Sequence, residues 1–168
     1  MSNFSFQMRT QSPELNAQVE ALMAQHSRPA NCDAAGRHPL PKMIRLFEAR
    51  RTIDGDVFAL KLRGGKIQAI EGDRIASPSG RDVGDPTAWV NGVKTNGAGR
   101  ALAYGLCNRT SGGSLEWSRS IRAGSVIQHG FFERFDQVRG ISPLASAINS
   151  FQDLYEGVDL ALAKRKVE

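Results

Sequence analysis

Three observations predict an α+β fold with N-terminal helices, a mixed or antiparallel β-rich core containing hairpins, and a long C-terminal amphipathic helix. Helix-start signals precede two apolar-periodic stretches in the first fifty residues. At Asp54-Gly55 the apolar period changes from about 3.6 to 2, and after Ser142 it returns to helical spacing. The 168 residues are expected to form a single unit, helical over 12–51, β-rich over 55–129 and helical again over 143–166.

Ser12-Pro13-Glu14 places a capping hydroxyl before a proline at the first helical position, where its missing N–H does no harm. Leu15, Val19, Leu22 and Met23 then share a face, which predicts a helix over 13–26. Ser27 to His38 mixes Pro, Gly, Asn and Asp and reads as loop. Pro39 or Pro41 opens a second helix, with Leu40, Met43, Ile44 and Phe47 apolar and Lys42, Arg45, Arg50 and Arg51 around the other faces.

Val57 to Leu62 and Lys66 to Ile70 flank Gly64-Gly65, a hairpin signature of two β-prone runs around residues that accept positive φ. Ser77 to Pro86 is rich in turn formers and reads as a surface loop. Further strands are predicted at Trp89–Asn91, Arg100–Asn108, Ser114–Trp117 and Ser125–His129, with turns at 96–99 and 110–113. Ser142-Pro143 then opens the last helix. Its apolar residues Leu144, Ile148, Phe151, Tyr155, Val158 and Leu162 alternate spacings of four and three, an a/d-like stripe. This pattern runs to the final residues without a stop signal, which leads us to expect a piece of a longer polypeptide.

Composition narrows the function classes. Charged residues are 23% and hydrophobic residues 40%, ordinary globular usage, and no run approaches the ~18 to 20 apolar residues that a membrane-spanning helix needs. The start, MSNFSFQMRTQ, lacks an apolar signal core. Cys32 and Cys107 form no CxxC pair, so neither a disulfide framework nor a zinc site is indicated. His26, His38 and His129 are too scattered for a ligand set. His129 with Asp136 and a serine would suggest a hydrolase, but no nucleophile motif accompanies them. Asp54 and Asp56, and Asp82 and Asp85, flank glycines without continuing into a calcium-loop series, and no glycine cluster matches a phosphate cradle. No catalytic residue, metal or cofactor is expected.

The net charge of +5 permits a polyanionic partner. Arg45, Arg50 and Arg51 around the second helix, and Arg119 and Arg122 bracketing Ile121, are the candidate DNA-phosphate contacts; the bland alternative is a solvated face laced with Glu48 and Asp54. A small basic nucleic-acid-binding module is the alternative reading of the chain.

From His129 onward the run HGFFERFDQVRGISPLASAINSFQDLYEG resembles lambda-like tailed-phage portal proteins. There an "I-H-x-F" strand leads into "G-Q-x-R-G-x-S/P-x-L-A-P" and then a helix. Ile127, His129, Phe131 or Phe132, Gln137, Arg139, Gly140 and Ser142 to Ala145 stand in that order here. A second block agrees: Asp33 to Gly36 is similar to the family's "D-x-x-G" loop, Asp54 to Phe58 to its "D-G-D/E" strand, Gln68 to Ile75 to the strand after it, and Ala101 to Tyr104 to a later one.

This resemblance implies a structural, non-enzymatic portal subunit, here the wing region. Its family forms a ring, normally a dodecamer, at one capsid vertex. Double-stranded DNA is packaged and ejected through that ring, and terminase and head and connector proteins dock on it. Assembly in the bacterial cytoplasm, residence in the virion and no membrane partner are implied too. Arg139-Gly140 would form the turn launching the last helix. The stripe from Leu144 to Leu162 would pack on the β-rich core, on segments outside this chain or on another subunit.

Overall fold

A computed structural model describes residues 6–78 and 88–167. The element order is α1 (Pro13–His26), α2 (Pro29–Cys32), α3 (Leu40–Asp54), β1 (Asp56–Lys61), β2 (Ile67–Glu71), β3 (Trp89–Val90), β4 (Val93–Thr95), β5 (Ala101–Arg109), β6 (Leu115–Arg122), β7 (Val126–Gly130) and α4 (Ile148–Val167). The α+β class and both sets of helices agree with the sequence.

Ser12 caps α1 as its spacing predicts, its side chain accepting from the Leu15 N–H, with Pro13 in the first turn. α3 ends where Gly55, at φ +92°, takes a conformation that L side chains rarely adopt. β1 follows with five of six residues buried and becomes the centre of a three-stranded antiparallel sheet, β2-β1-β7. Phe58 lies opposite Ile70 on one side and Gln128 on the other. A second antiparallel sheet runs β3-β4-β5-β6. The chain leaving β2 joins the two: Ile75 bridges Leu106, and the Ala76 N–H donates to the Gly105 carbonyl at 3.1 Å.

Nine side chains form the core between the sheets: Phe58, Leu60, Ile70, Ile75, Val93, Tyr104, Leu106, Ile121 and Val126. Each of the larger ones contributes about 1.5–3 kcal/mol through burial. Phe58 and Tyr104 meet edge to face, 5.4 Å between centroids.

Four boundaries differ from the sequence reading. Pro29–Cys32 is a helical turn inside the predicted loop, started by Pro29 and continued by Asp33, whose carboxylate accepts from the Ala35, Arg37 and His38 N–H groups. The Trp89 strand stops at Val90, because Asn91 and Gly92 both have positive φ and turn the chain back into β4, a strand the sequence left unassigned. β6 runs on to Arg122, since β5 offers it partners as far as Ala103. The last α-helix begins at Ile148, not 143. Ser142 and Leu144 accept from Ala145 and Ala147 in i→i+3 bonds, so a 3₁₀ turn occupies the predicted first turn. Most of the Ser77–Pro86 loop, with Asp82 and Asp85, lies outside the described residues.

Candidate functional site

β1 opens on a carboxylate with nowhere to solvate. Asp56 is 1% exposed, and an ionised carboxylate in that position needs a full set of donors. Arg139 supplies most of them from 83 positions away in sequence. Its Nε and Nη2 donate to the two Asp56 oxygens at 2.7 and 2.8 Å, a bidentate pair. The remaining guanidinium N–H groups go to backbone carbonyls: Gly72 at 2.8 Å, Ile75 at 3.0 Å and Asn91 at 3.0 Å. All five donors are thus used.

The Gly140 N–H and the Gln128 amide donate to Asp56 as well, at 2.9 and 3.2 Å. Gln128 also donates to the Val138 carbonyl and accepts from the Tyr104 hydroxyl. Burial, and then the Asp56 charge, push that hydroxyl above its ordinary pKa of 10.0. The guanidinium carbon lies 5.1 Å from the centre of the Phe58 ring, so the pair rests directly on the core.

The backbone must come close for these bonds to form. A Cβ at Gly140 would stand 2.2 Å from the Gly55 carbonyl oxygen, one at Gly130 2.8 Å from the Asp56 Cβ, and one at Gly72 2.9 Å from an Asp56 carboxylate oxygen. Glycine is the residue these approaches tolerate. The Gln137 amide donates to the carbonyls of Phe131 and Arg139, closing the intervening loop. Ser142 then donates to the Thr52 carbonyl of α3 at 2.6 Å. Gln137, Arg139, Gly140 and Ser142 together lock residues 131–142 to β1 and α3, and so fix the point from which α4 departs.

Beside this latch, His129 Nε2 lies 3.1 Å from a Glu48 carboxylate oxygen, so its partner is Glu48 of α3 and not Asp136. Hydrogen bonding by His129 first, and by Arg51 next, holds the Glu48 carboxyl below its ordinary value. Arg51 pairs with Glu48 and stacks its guanidinium 4.0 Å from the centre of Phe131. It therefore ties α3 to the chain after β7 and does not present itself as a free phosphate contact. Arg50 pairs with Asp54 at 3.6 Å, and Arg45 extends along its own helix to the Pro41 carbonyl. Arg119 and Arg122 lie exposed on β6, an edge strand of the second sheet. The five arginines thus divide between two separate surfaces.

The apolar stripe ends up in solvent. Leu144, Ile148, Phe151, Tyr155, Val158 and Leu162 are all at least 45% exposed, so the β-rich core does not cover them. Among the described residues no group of three or more potential metal ligands converges. An open cleft of about 490 Å³ beside the latch is lined by Arg50, Asp54, Glu71, Asp73 and Arg139, charges of both signs that select neither an anion nor a cation.

The sequence marks Arg139 and Gly140 as a turn without pairing them with Asp56, Gln128 or Gly55. The available signal was a charged residue heading an otherwise apolar strand, Asp56-Val57-Phe58-Ala59-Leu60, which requires a buried counter-ion. A search of curated proteins returned no match to this chain. The profile described as phage portal protein, lambda family, matches residues 2–168, and the chain belongs to that family.

Proposed function

We propose that this chain acts as a structural portal subunit. It assembles with copies of itself into a ring at a capsid vertex, through which double-stranded DNA enters and leaves the head and on which terminase and head and connector proteins dock. The observation that carries this reading is the family match along residues 2–168. The fold supports it: a core locked by Asp56–Arg139 projects a helix whose apolar residues lie in solvent. Monomeric proteins rarely leave such a surface bare. The role needs no cofactor and no catalytic residue, and the latch and the stripe from Leu144 to Leu162 serve assembly.

Light scattering after size-exclusion chromatography, with negative-stain microscopy of the same fractions, tests the reading. Closed rings are the expected result. A monomer at every concentration, with no ring particles, would overturn it. For the DNA part, Arg119 and Arg122 on the edge strand β6 are the proposed phosphate contacts. Charge reversal there should lower DNA retention at low salt and flatten its salt dependence; retention unchanged by reversal would remove them from that role.

A further inference from the structure

Positive charge gathers at the end of the molecule away from the latch. α3 and β1 meet at Gly55, beside the latch, and their far ends carry Lys42 and Lys61. Backbone contacts bring three segments together there. The Leu40 N–H donates to the Ser27 carbonyl and the Ala34 N–H to the Ile67 carbonyl, each at 3.0 Å, and Gly65 lies against the His26 ring. Residues 26–42 and 61–67 carry Arg28, Arg37, Lys42, Lys61, Arg63 and Lys66, all exposed, against the single carboxylate of Asp33. Asp33 is buried and accepts from three backbone N–H groups. None of the six cations forms an ion pair among the described residues. The next carboxylates along α1 and α3, Glu20 and Glu48, stand about 9 Å up their helices from His26 and Lys42. Both are engaged: Glu20 accepts from the Met8 N–H and Glu48 from Arg51, with His129 beside it. This end therefore holds a net +5, the charge of the whole chain, and everywhere else the two signs balance at sixteen each.

We propose that this end binds the phosphate backbone of double-stranded nucleic acid without reading its sequence. The inference rests on the portal reading, in which a duplex passes the subunit, and names a surface separate from Arg119 and Arg122. The chemistry selects this ligand among polyanions. Single strands are held by stacking their bases on aromatic rings, and neither segment contains Phe, Tyr or Trp. A protein partner needs large apolar anchors. The exposed uncharged residues of these segments are Gly, Ala and Pro, with Leu62, 38% exposed, the one large apolar side chain. Six cations with neither rings nor a groove suit an evenly charged backbone, whose contacts position a duplex and carry no sequence information.

Fluorescence anisotropy tests it, the whole chain being titrated onto a labelled random-sequence duplex of about 30 base pairs at several salt concentrations. Arg63→Ala with Lys66→Ala keeps the Gly64-Gly65 turn. It should weaken binding about tenfold or more at low salt and flatten the logarithmic salt slope by about 1.8, the share of two phosphate contacts. Arg28→Ala with Arg37→Ala, on the other segment, should do the same. Circular dichroism melting separates lost contacts from lost fold, and should one pair fail to fold, the other decides. Unchanged binding in the folded double variants would overturn the proposal, as would tighter binding of polyglutamate or of the single strand than of the duplex. Ring particles are counted in the same samples. Variants that form rings and hold the duplex as the wild type does overturn this surface and leave the portal reading standing. A wild-type chain that forms no rings and binds no duplex overturns both.

Discussion

β1 and α4 are both rich in apolar residues, yet five of six residues in β1 are buried while every apolar residue described in α4 lies in solvent. α1 resembles α4, with none of its fourteen residues buried, and α3 buries only Met43. Local signals make an amphipathic helix; they do not supply what covers it. Both sheets find their partners within the chain, through the register of β2-β1-β7 and the bridge from Ile75 to Leu106. The helices hold their form by caps and turns and offer their faces outward.

The largest effect should come from breaking the latch. Asp56→Ala leaves the Arg139 guanidinium without its carboxylate, and removing one member of a buried pair costs about 3–5 kcal/mol; urea unfolding measures it. An effect under about 1 kcal/mol would mean that the sheets alone set stability. Gly140→Ala should cost about 2 kcal/mol, because its Cβ would meet the Gly55 carbonyl oxygen at 2.2 Å. Wild-type stability for that variant would show that residues 131–142 yield without loss.

A smaller effect is expected in acid. Burial raises the pKa of Asp33, but three backbone N–H donors outweigh it and the carboxyl sits below its ordinary 3.8. A depressed carboxylate stabilises the fold fully above its ordinary pKa, and that contribution is lost as pH falls through the lower folded value. The urea midpoint should therefore fall on acidification below about pH 4, and less steeply in Asp33→Asn. Smallest of all, Phe151→Ala should change unfolding stability by no more than about 0.5 kcal/mol. A loss of 2 kcal/mol or more would place α4 against the core after all.

How much of this was legible follows the same division. Ser12-Pro13 placed α1, Gly55 ended α3 and Gly64-Gly65 turned the first hairpin, since each acts on its nearest neighbours. β4 has no signature in the sequence because three residues between two turns carry no period of their own. Ser142 accepts from the Leu144 N–H as a cap would, but the turn it opens is 3₁₀ and its hydroxyl also donates to the Thr52 carbonyl, a tertiary contact no local signal records. Asp56 and Arg139 stand far apart in the chain, and spacing says nothing about a pair that the fold alone brings together. Resemblance marked Arg139 and Gly140; only their surroundings explain them.

The reach of Arg139 also orders events in time. Its partners belong to the start of β1, to the Gly72–Ile75 segment and to the turn at Asn91, so its bonds are complete only when all three stand in place. Long-range closures of this kind come late, after the local hairpins have repaid part of the chain entropy. Arg139→Lys should accordingly speed unfolding and leave refolding nearly unchanged in a denaturant chevron. The Asp56–Arg139 pair thereby makes the departure point of α4 a property of the packed interior and not of the helix itself.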